Sequence, residues 1–197
     1  MSQQPAKIVH IVALLPFFAT GGLPAPFLAL SKGMADGGSF LASSRVAEQA
    51  EKESQERQKN AERKERAAKI DAYFSERSMP LAGYGAEMVA AAEDHDLDWR
   101  LLPAIAVRES SGGKHSCDHN PFGWASCKRH FESISEAIAI VAQHLGGNHP
   151  KTEDYYGGDT REKLYYYNGT VISTYPDEVM AIMDRIGKQE VSASLVK

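Results

Sequence analysis

The sequence predicts a mainly α fold, and three observations carry that expectation. Ile134, Ala137, Ile138, Val141 and Leu145 recur at helical spacing. The run from Arg45 to Arg77 has no Pro or Gly and is rich in strong helix formers. No stretch of useful length alternates apolar and polar residues as a half-buried strand would. With 197 residues, 43% hydrophobic and 24% charged, the chain has room for one modest domain with appendages. A formal net charge of -4 argues against a nucleic-acid partner, which needs a basic face.

The N-terminal segment reads as a location signal. Lys7 precedes an apolar stretch, Ile8 to Leu30, whose only titratable side chain is His10. A positive start followed by an apolar run is the pattern of a secretory signal or an uncleaved membrane anchor. Pro16, Pro24, Pro26 and the Gly21-Gly22 pair do not suit a buried core helix. Gly33, Met34 and Ala35 place small residues at a cleavage position before Asp36. Residues 1–35 are therefore expected to be a signal peptide or anchor, with the protein exported to the periplasm, cell exterior or membrane surface.

Residues 36–78 are expected to form a charged helical stalk or linker. Between Arg45 and Arg77, nine basic residues are interspersed with eight acidic ones. Glu48–Lys52, Glu53–Arg57, Glu62–Arg66 and Glu65–Lys69 are each acid first, base four residues on. Each such pair contributes roughly 0.2–0.5 kcal/mol when exposed. No sustained apolar heptad supports a coiled coil. Near the end, Ile70, Tyr73 and Phe74 are placed to dock on the domain C-terminal to the stalk.

Residues 79–190 are expected to hold the site, with 191–197 as a flexible tail. Pro80 and the Gly83-Tyr84-Gly85 turn end the stalk. One helix is predicted over Ala86–His95. A second begins near Asp98, a capping residue type, and runs through Val107, with Pro103 in its first turn or at a kink. Phe131–Leu145 is a third, stopped by Gly146-Gly147, and Thr160–Tyr167 a fourth. The last runs from Asp177 to Ile186.

Glu109 stands out within this pattern. Leu102, Ile105 and Glu109 fall at i, i+3 and i+7, so a carboxylate sits at the edge of a core-facing stripe. Desolvation there favours the protonated form, as a general acid requires. Glycoside hydrolysis needs such an acid; lysozyme's glutamate is the familiar example. The structural competitor is a helix-ending Glu bound to a backbone amide, to Arg108 or to Lys114. Ser110, Ser111, Gly112 and Gly113 end the helix. Asn120 and Pro121 suit a turn, and Phe122 and Trp124 are either sugar platforms or core.

The segment "AIAVRESSGG", Ala104 to Gly113, resembles the catalytic-glutamate motif of the lysozyme-like superfamily, specifically its soluble lytic transglycosylases and bacterial glucosaminidases. "NPFGW", Asn120 to Trp124, resembles a segment of the glucosaminidase-like branch. Tyr167, Asn168, Gly169 and Tyr175 match a downstream Tyr-Asn-Ala-Gly element of lytic transglycosylases, shortened here to Asn168-Gly169. The Gly-Leu-Met-Gln segment common after the acid is absent.

The resemblance spans Leu81 to Gly187 and implies a lysozyme-like domain acting on peptidoglycan glycan strands, without a cofactor or metal. It implies Glu109 as the acid that cleaves the β-1,4 bond between N-acetylmuramic acid and N-acetylglucosamine. It further implies that Ser110 fixes the carboxylate or its loop, Tyr167 lies near the acid, Asn168 shapes the sugar site and Tyr175 closes the fold; with Asn120, Phe122 and Trp124 these are the residues expected at the sugar site. A transglycosylase needs only Glu109; a muramidase or glucosaminidase also needs positioned water, for which Asp118, Asp159 and Glu162 are candidates. A non-catalytic glycan-binding envelope protein is the other alternative, and a scaffold built on the charged helix a third.

Cys117 and Cys127 are the only cysteines. An export signal upstream favours a disulfide between them. With His119 and His130 they also form a four-ligand set of zinc-binding types, at non-standard spacing.

Overall fold

The computed structural model describes residues 37–191, with side chains from residue 45 onward. The apolar segment, its cleavage position and the C-terminal tail beyond Val191 lie outside the described residues. The chain divides into two units, 1–42 and 43–197, and the second holds the compact helical body. No described helix is long and apolar enough to cross a membrane.

The described chain is mainly helical, without a β-strand among the described residues. The long charged helix α1 spans Gly37–Glu76. Between Arg45 and Glu62 every side chain is exposed, including Val46, in keeping with a segment that is mostly charged and polar. Of the expected ion pairs, Glu48–Lys52, Glu62–Arg66 and Glu65–Lys69 form. Glu53 accepts instead from Gln49 at 3.5 Å.

The last turns of α1 belong to the compact body. Ile70 and Phe74 are fully buried and Tyr73 nearly so. Arg63 and Arg66 both pair with Glu93 on α2 (Gly85–Asp94). Asp71 Oδ1 accepts from the amides of Gly83 and Gly85 at 2.8 and 2.9 Å. The close approach explains Gly85: a Cβ there would stand 2.4 Å from the Ala67 carbonyl oxygen.

Helix α3 covers Leu101–Ser110. Pro103 falls in its first turn, where a missing amide hydrogen costs nothing, so the helix is not kinked. Asp98 does not cap it from the N-cap position, which Arg100 occupies; its carboxylate instead grips Arg100. Helix α4, Ile134–Leu145, is capped by Ser133, whose hydroxyl accepts from the Glu136 amide at 3.1 Å. Ala137, Ile138, Val141, Ala142 and Leu145 are all buried, as their spacing requires.

Two short helices come next, α5 (Glu153–Tyr156) and α6 (Thr160–Leu164). The fourth predicted helix does not continue regularly to Tyr167. Tyr165–Gly169 widens into a π turn, closed by the Thr170 amide on the Tyr165 carbonyl at 3.0 Å. Helix α7, Tyr175–Gly187, starts two residues earlier than expected because Pro176 fits its first turn. It packs along α3, and Arg108 Nε donates to Glu178 Oε2 at 2.6 Å.

One buried cation fixes the geometry around α5. Lys163 is 8% exposed, and its ammonium donates to the carbonyls of Leu145 and Tyr156. It thereby ties the C-terminal ends of α4 and α5 to α6.

Candidate active site

Glu109 lies at the last turn of α3, beside a cleft of about 470 Å³. The opposite walls come from the Gly123–Ser126 segment, from α5 with Thr152 and Tyr156, and from the π turn with Tyr167 and Asn168. Glu109 is the single carboxylate lining this cleft among the described residues. Leu102 and Ile105 beneath it are fully buried, so the carboxylate sits where the i, i+3, i+7 pattern puts it. Its Oε1 is buried and has no hydrogen-bond partner.

The structural competitors for this side chain are engaged elsewhere. Arg108 is held by Glu178, and Lys114 donates to the Arg77 carbonyl at 2.7 Å. Hydrogen bonds from Thr174 and Arg108 in turn keep the Glu178 carboxyl below the usual carboxylate range.

Two phenols stand against Glu109. Tyr175 is fully buried and its hydroxyl has no hydrogen-bond partner. Burial, then Tyr167 and the Glu109 carboxylate, push its pKa far up, although the Glu109–Tyr175 pair falls outside hydrogen-bond geometry. Tyr167 stacks on it, ring centroids 6.0 Å apart and planes 9° from parallel. Burial of the Tyr167 hydroxyl and the neighbouring Glu109 charge raise its pKa well above the ordinary phenol value. Both phenols therefore stay protonated at neutral pH.

The segment Asn120–Trp124 is a strap held from both sides. The Ser110 hydroxyl lies 2.7 Å from the Pro121 carbonyl and 3.0 Å from that of Ala106, and accepts from the Gly113 amide at 2.9 Å. The next carbonyl, Phe122, accepts from Tyr167 Oη at 2.6 Å. These two anchors lay Gly123 over the acid. Gly123 has φ +63°, and a Cβ on it would stand 3.0 Å from Glu109 Oε2. Glycine takes the left-handed backbone without strain and leaves the carboxylate undisturbed, where any Cβ would press on it.

Past Trp124 the strap continues into a left-handed run, with φ of 53° at Ala125, 54° at Ser126 and 61° at Cys127. Non-glycine residues in this region cost roughly 1–2 kcal/mol each. Asn120 counters that cost. It is 1% exposed; its Oδ1 accepts from the Trp124 amide, and its Nδ2 donates to the Trp124 and Arg129 carbonyls. Cys117 and Cys127 close the loop as a disulfide, Cα atoms 5.8 Å apart. Both sulfurs are thus taken, and the zinc arrangement with His119 and His130 is not assembled.

No protein-family model, curated protein or solved structure matches this chain.

Of the residues expected to shape the sugar site, Glu109, Trp124, Tyr167 and Asn168 line the cleft. Phe122 does not: its ring is completely buried, so it is core and not a sugar platform. Asn120, Ser110 and Tyr175 are also buried, and the polar groups of Asn120 and Ser110 are spent inside the fold. They hold the site without facing it. Asp118, Asp159 and Glu162 are not brought to the cleft. Asp159 caps α6 by accepting from the Glu162 amide, and Asp118 lies near His119 and His130. Thr152 and Tyr156 line the cleft without having been anticipated, because α5 is too short to show a period.

Trp124 stands at the centre of an aromatic group. Its ring lies 5.6 Å from Tyr167, 6.4 Å from Tyr156 and 4.9 Å from His144. His144 also meets Thr152 Oγ1 at 2.9 Å and lies 4.0 Å from the His149 ring. Burial, then the charges of His149, Arg129 and Lys151, lowers its pKa below the ordinary imidazole value. Between that lowered pKa and about 6.5 the unfolded chain binds more protons, so stability rises with pH across the window. Acidification from about pH 7 to about pH 5 is therefore expected to lower the urea midpoint more in the wild type than in His144→Gln. Parallel pH profiles for the two proteins would contradict this.

Proposed function

We propose that this chain is a peptidoglycan lytic transglycosylase with a lysozyme-like helical domain, cleaving the β-1,4 bond between N-acetylmuramic acid and N-acetylglucosamine. The observation that carries the reading is Glu109: one carboxylate at a helix end, with an unpaired buried oxygen, in a cleft walled by Trp124, Tyr156 and Tyr167. An aromatic wall with a few polar groups such as Thr152 and Asn168 suits sugar rings, which have apolar faces and hydroxyl edges.

In this mechanism Glu109 protonates the glycosidic oxygen as the bond from the muramyl C1 breaks. The resulting carboxylate then takes the proton from the muramyl C6 hydroxyl as that oxygen closes on C1. The product is a 1,6-anhydro sugar, no water is consumed, and Glu109 regains the proton it gave. The protonated Tyr175 hydroxyl, which has no partner, offers a dipole beside the carboxylate as its charge changes, while that of Tyr167 is spent on the Phe122 carbonyl. The absence of a second carboxylate from the described cleft lining favours this route over hydrolysis. The reading carries with it export to the compartment of the cell wall, using the apolar segment as signal or anchor.

Purified protein incubated with peptidoglycan sacculi is expected to release muropeptides with anhydromuramyl ends, read by mass spectrometry. Reducing ends carrying one added water would make it a hydrolase. No product from folded protein on several wall types would leave a glycan-binding envelope protein as the better account.

A further inference from the structure

Three tyrosines next to the cleft are exposed without an evident structural duty. Tyr155 is 52% exposed, Tyr165 49% and Tyr166 38%. They form one group: Tyr166 lies 5.5 Å from Tyr155 and 5.4 Å from Tyr165, ring to ring and edge on. Open clustering of large aromatic side chains is costly in water and marks binding surfaces.

The cluster is continuous with the cleft. Tyr155 directly precedes Tyr156 on α5, and Tyr166 directly precedes Tyr167 in the π turn; Tyr156 and Tyr167 line the cleft. Adjacent Cα atoms are about 3.8 Å apart. Successive helical side chains diverge by about 100°. The same two elements thus present one tyrosine to the cleft and the next to the outer surface. Any polymer cut at Glu109 has chain on both sides of the scissile bond and must leave the cleft over a rim.

We propose that Tyr155, Tyr165 and Tyr166 form an outer saccharide-binding surface that holds N-acetylhexosamine units of the glycan strand beyond the cleft. The proposal rests on the glycan-cleaving reading of Glu109. Hexosamine rings have an apolar C–H face that stacks on an aromatic face, while phenol hydroxyls at the ring tips meet the N-acetyl and hydroxyl groups. Tyrosine supplies this contact at low conformational cost, having two side-chain torsions. The surface would make the protein prefer long strands to short fragments.

The test uses the full chain carrying Glu109→Gln, so that binding is measured without turnover. The probes are the soluble N-acetylglucosamine dimer and hexamer, titrated by calorimetry. The hexamer is expected to bind more tightly than the dimer. Adding Tyr155→Ser and Tyr166→Ser is expected to weaken hexamer binding roughly tenfold and leave dimer binding unchanged, the scale of one or two aromatic contacts. Adding Tyr166→Phe instead, which keeps the ring, is expected to preserve most of the gain. Circular dichroism and unfolding curves verify that each variant is folded.

Unchanged hexamer affinity in the serine variant, with Trp124→Ala still weakening both probes, would overturn the outer surface and leave the cleft reading standing. Self-association lost in the serine variant, with the length preference retained, would reassign the tyrosines to a contact between copies. Failure of the Glu109→Gln chain to bind either probe would overturn the glycan reading and this proposal together.

Discussion

Replacing Glu109 with Gln is expected to lower glycan cleavage by roughly 10²–10⁴-fold, the range a positioned general acid and base supplies. The amide has the shape of the carboxyl but cannot give a proton to the glycosidic oxygen or accept one from the C6 hydroxyl. Stability is the discriminating second readout. A glutamate kept for structure would have a cation or a backbone amide to lose. Here Arg108 and Lys114 are engaged elsewhere, and Oε1 is buried without a partner. Replacing a carboxyl whose buried oxygen has no partner should leave the unfolding midpoint unchanged or raised. A variant that unfolds more readily and cleaves at the wild-type rate would assign Glu109 to structure and end the catalytic reading.

Asn120→Ala is expected to cost about 3 kcal/mol and to inactivate much of what remains folded. The substitution removes three hydrogen bonds and leaves the Trp124 amide and the carbonyls of Trp124 and Arg129 without their partner. Each buried polar group left unpaired costs about 1–3 kcal/mol, less where water can enter. The strap connects this loss to activity. Its left-handed residues Ala125, Ser126 and Cys127 persist only while their surroundings over-determine them. Without Asn120 the segment can relax, moving Gly123 away from Glu109 Oε2 and Trp124 out of the cleft wall. Urea unfolding with the disulfide intact, combined with cleavage assays well below the midpoint, separates the two effects. Wild-type stability would show that the strap is held by the disulfide and by Ser110 and Tyr167 alone.

Helices whose burial has a period were legible in the sequence. Helix α4 shows its buried face as Ala137, Ile138, Val141 and Leu145, and Leu102, Ile105 and Glu109 fix which way the acid points. Ile70, Tyr73 and Phe74 marked where the charged helix meets the body. What could not be read was anything decided by tertiary hydrogen bonds. Asn120 and Phe122 look like groove residues by type, yet the strap turns both inward and leaves Trp124 as its one aromatic ring on the cleft. Ala125 and Ser126 carry no sequence mark of left-handed backbone, because neither residue type favours it. Tyr156 reaches the cleft with its carbonyl held by Lys163, and Thr152 with its hydroxyl against His144, contacts that no local pattern announces.

The π turn at Tyr165–Gly169 makes chain length itself part of the site. Its bond runs from residue 170 back to 165, so it carries one residue more than an α-helical turn. Deleting a single residue there would rotate the side chains on one side of the turn by about 100°. Tyr167 would leave the Phe122 carbonyl, and the strap would lose its second anchor, with every remaining residue type unaltered. An alignment that closes this one-residue difference as a trivial gap would pair the wrong tyrosines. Among chains of this kind, the spacing between the acid and the Tyr-Asn pair is therefore as informative as the identity of the residues, and an insertion or deletion in this turn acts as a substitution of the site.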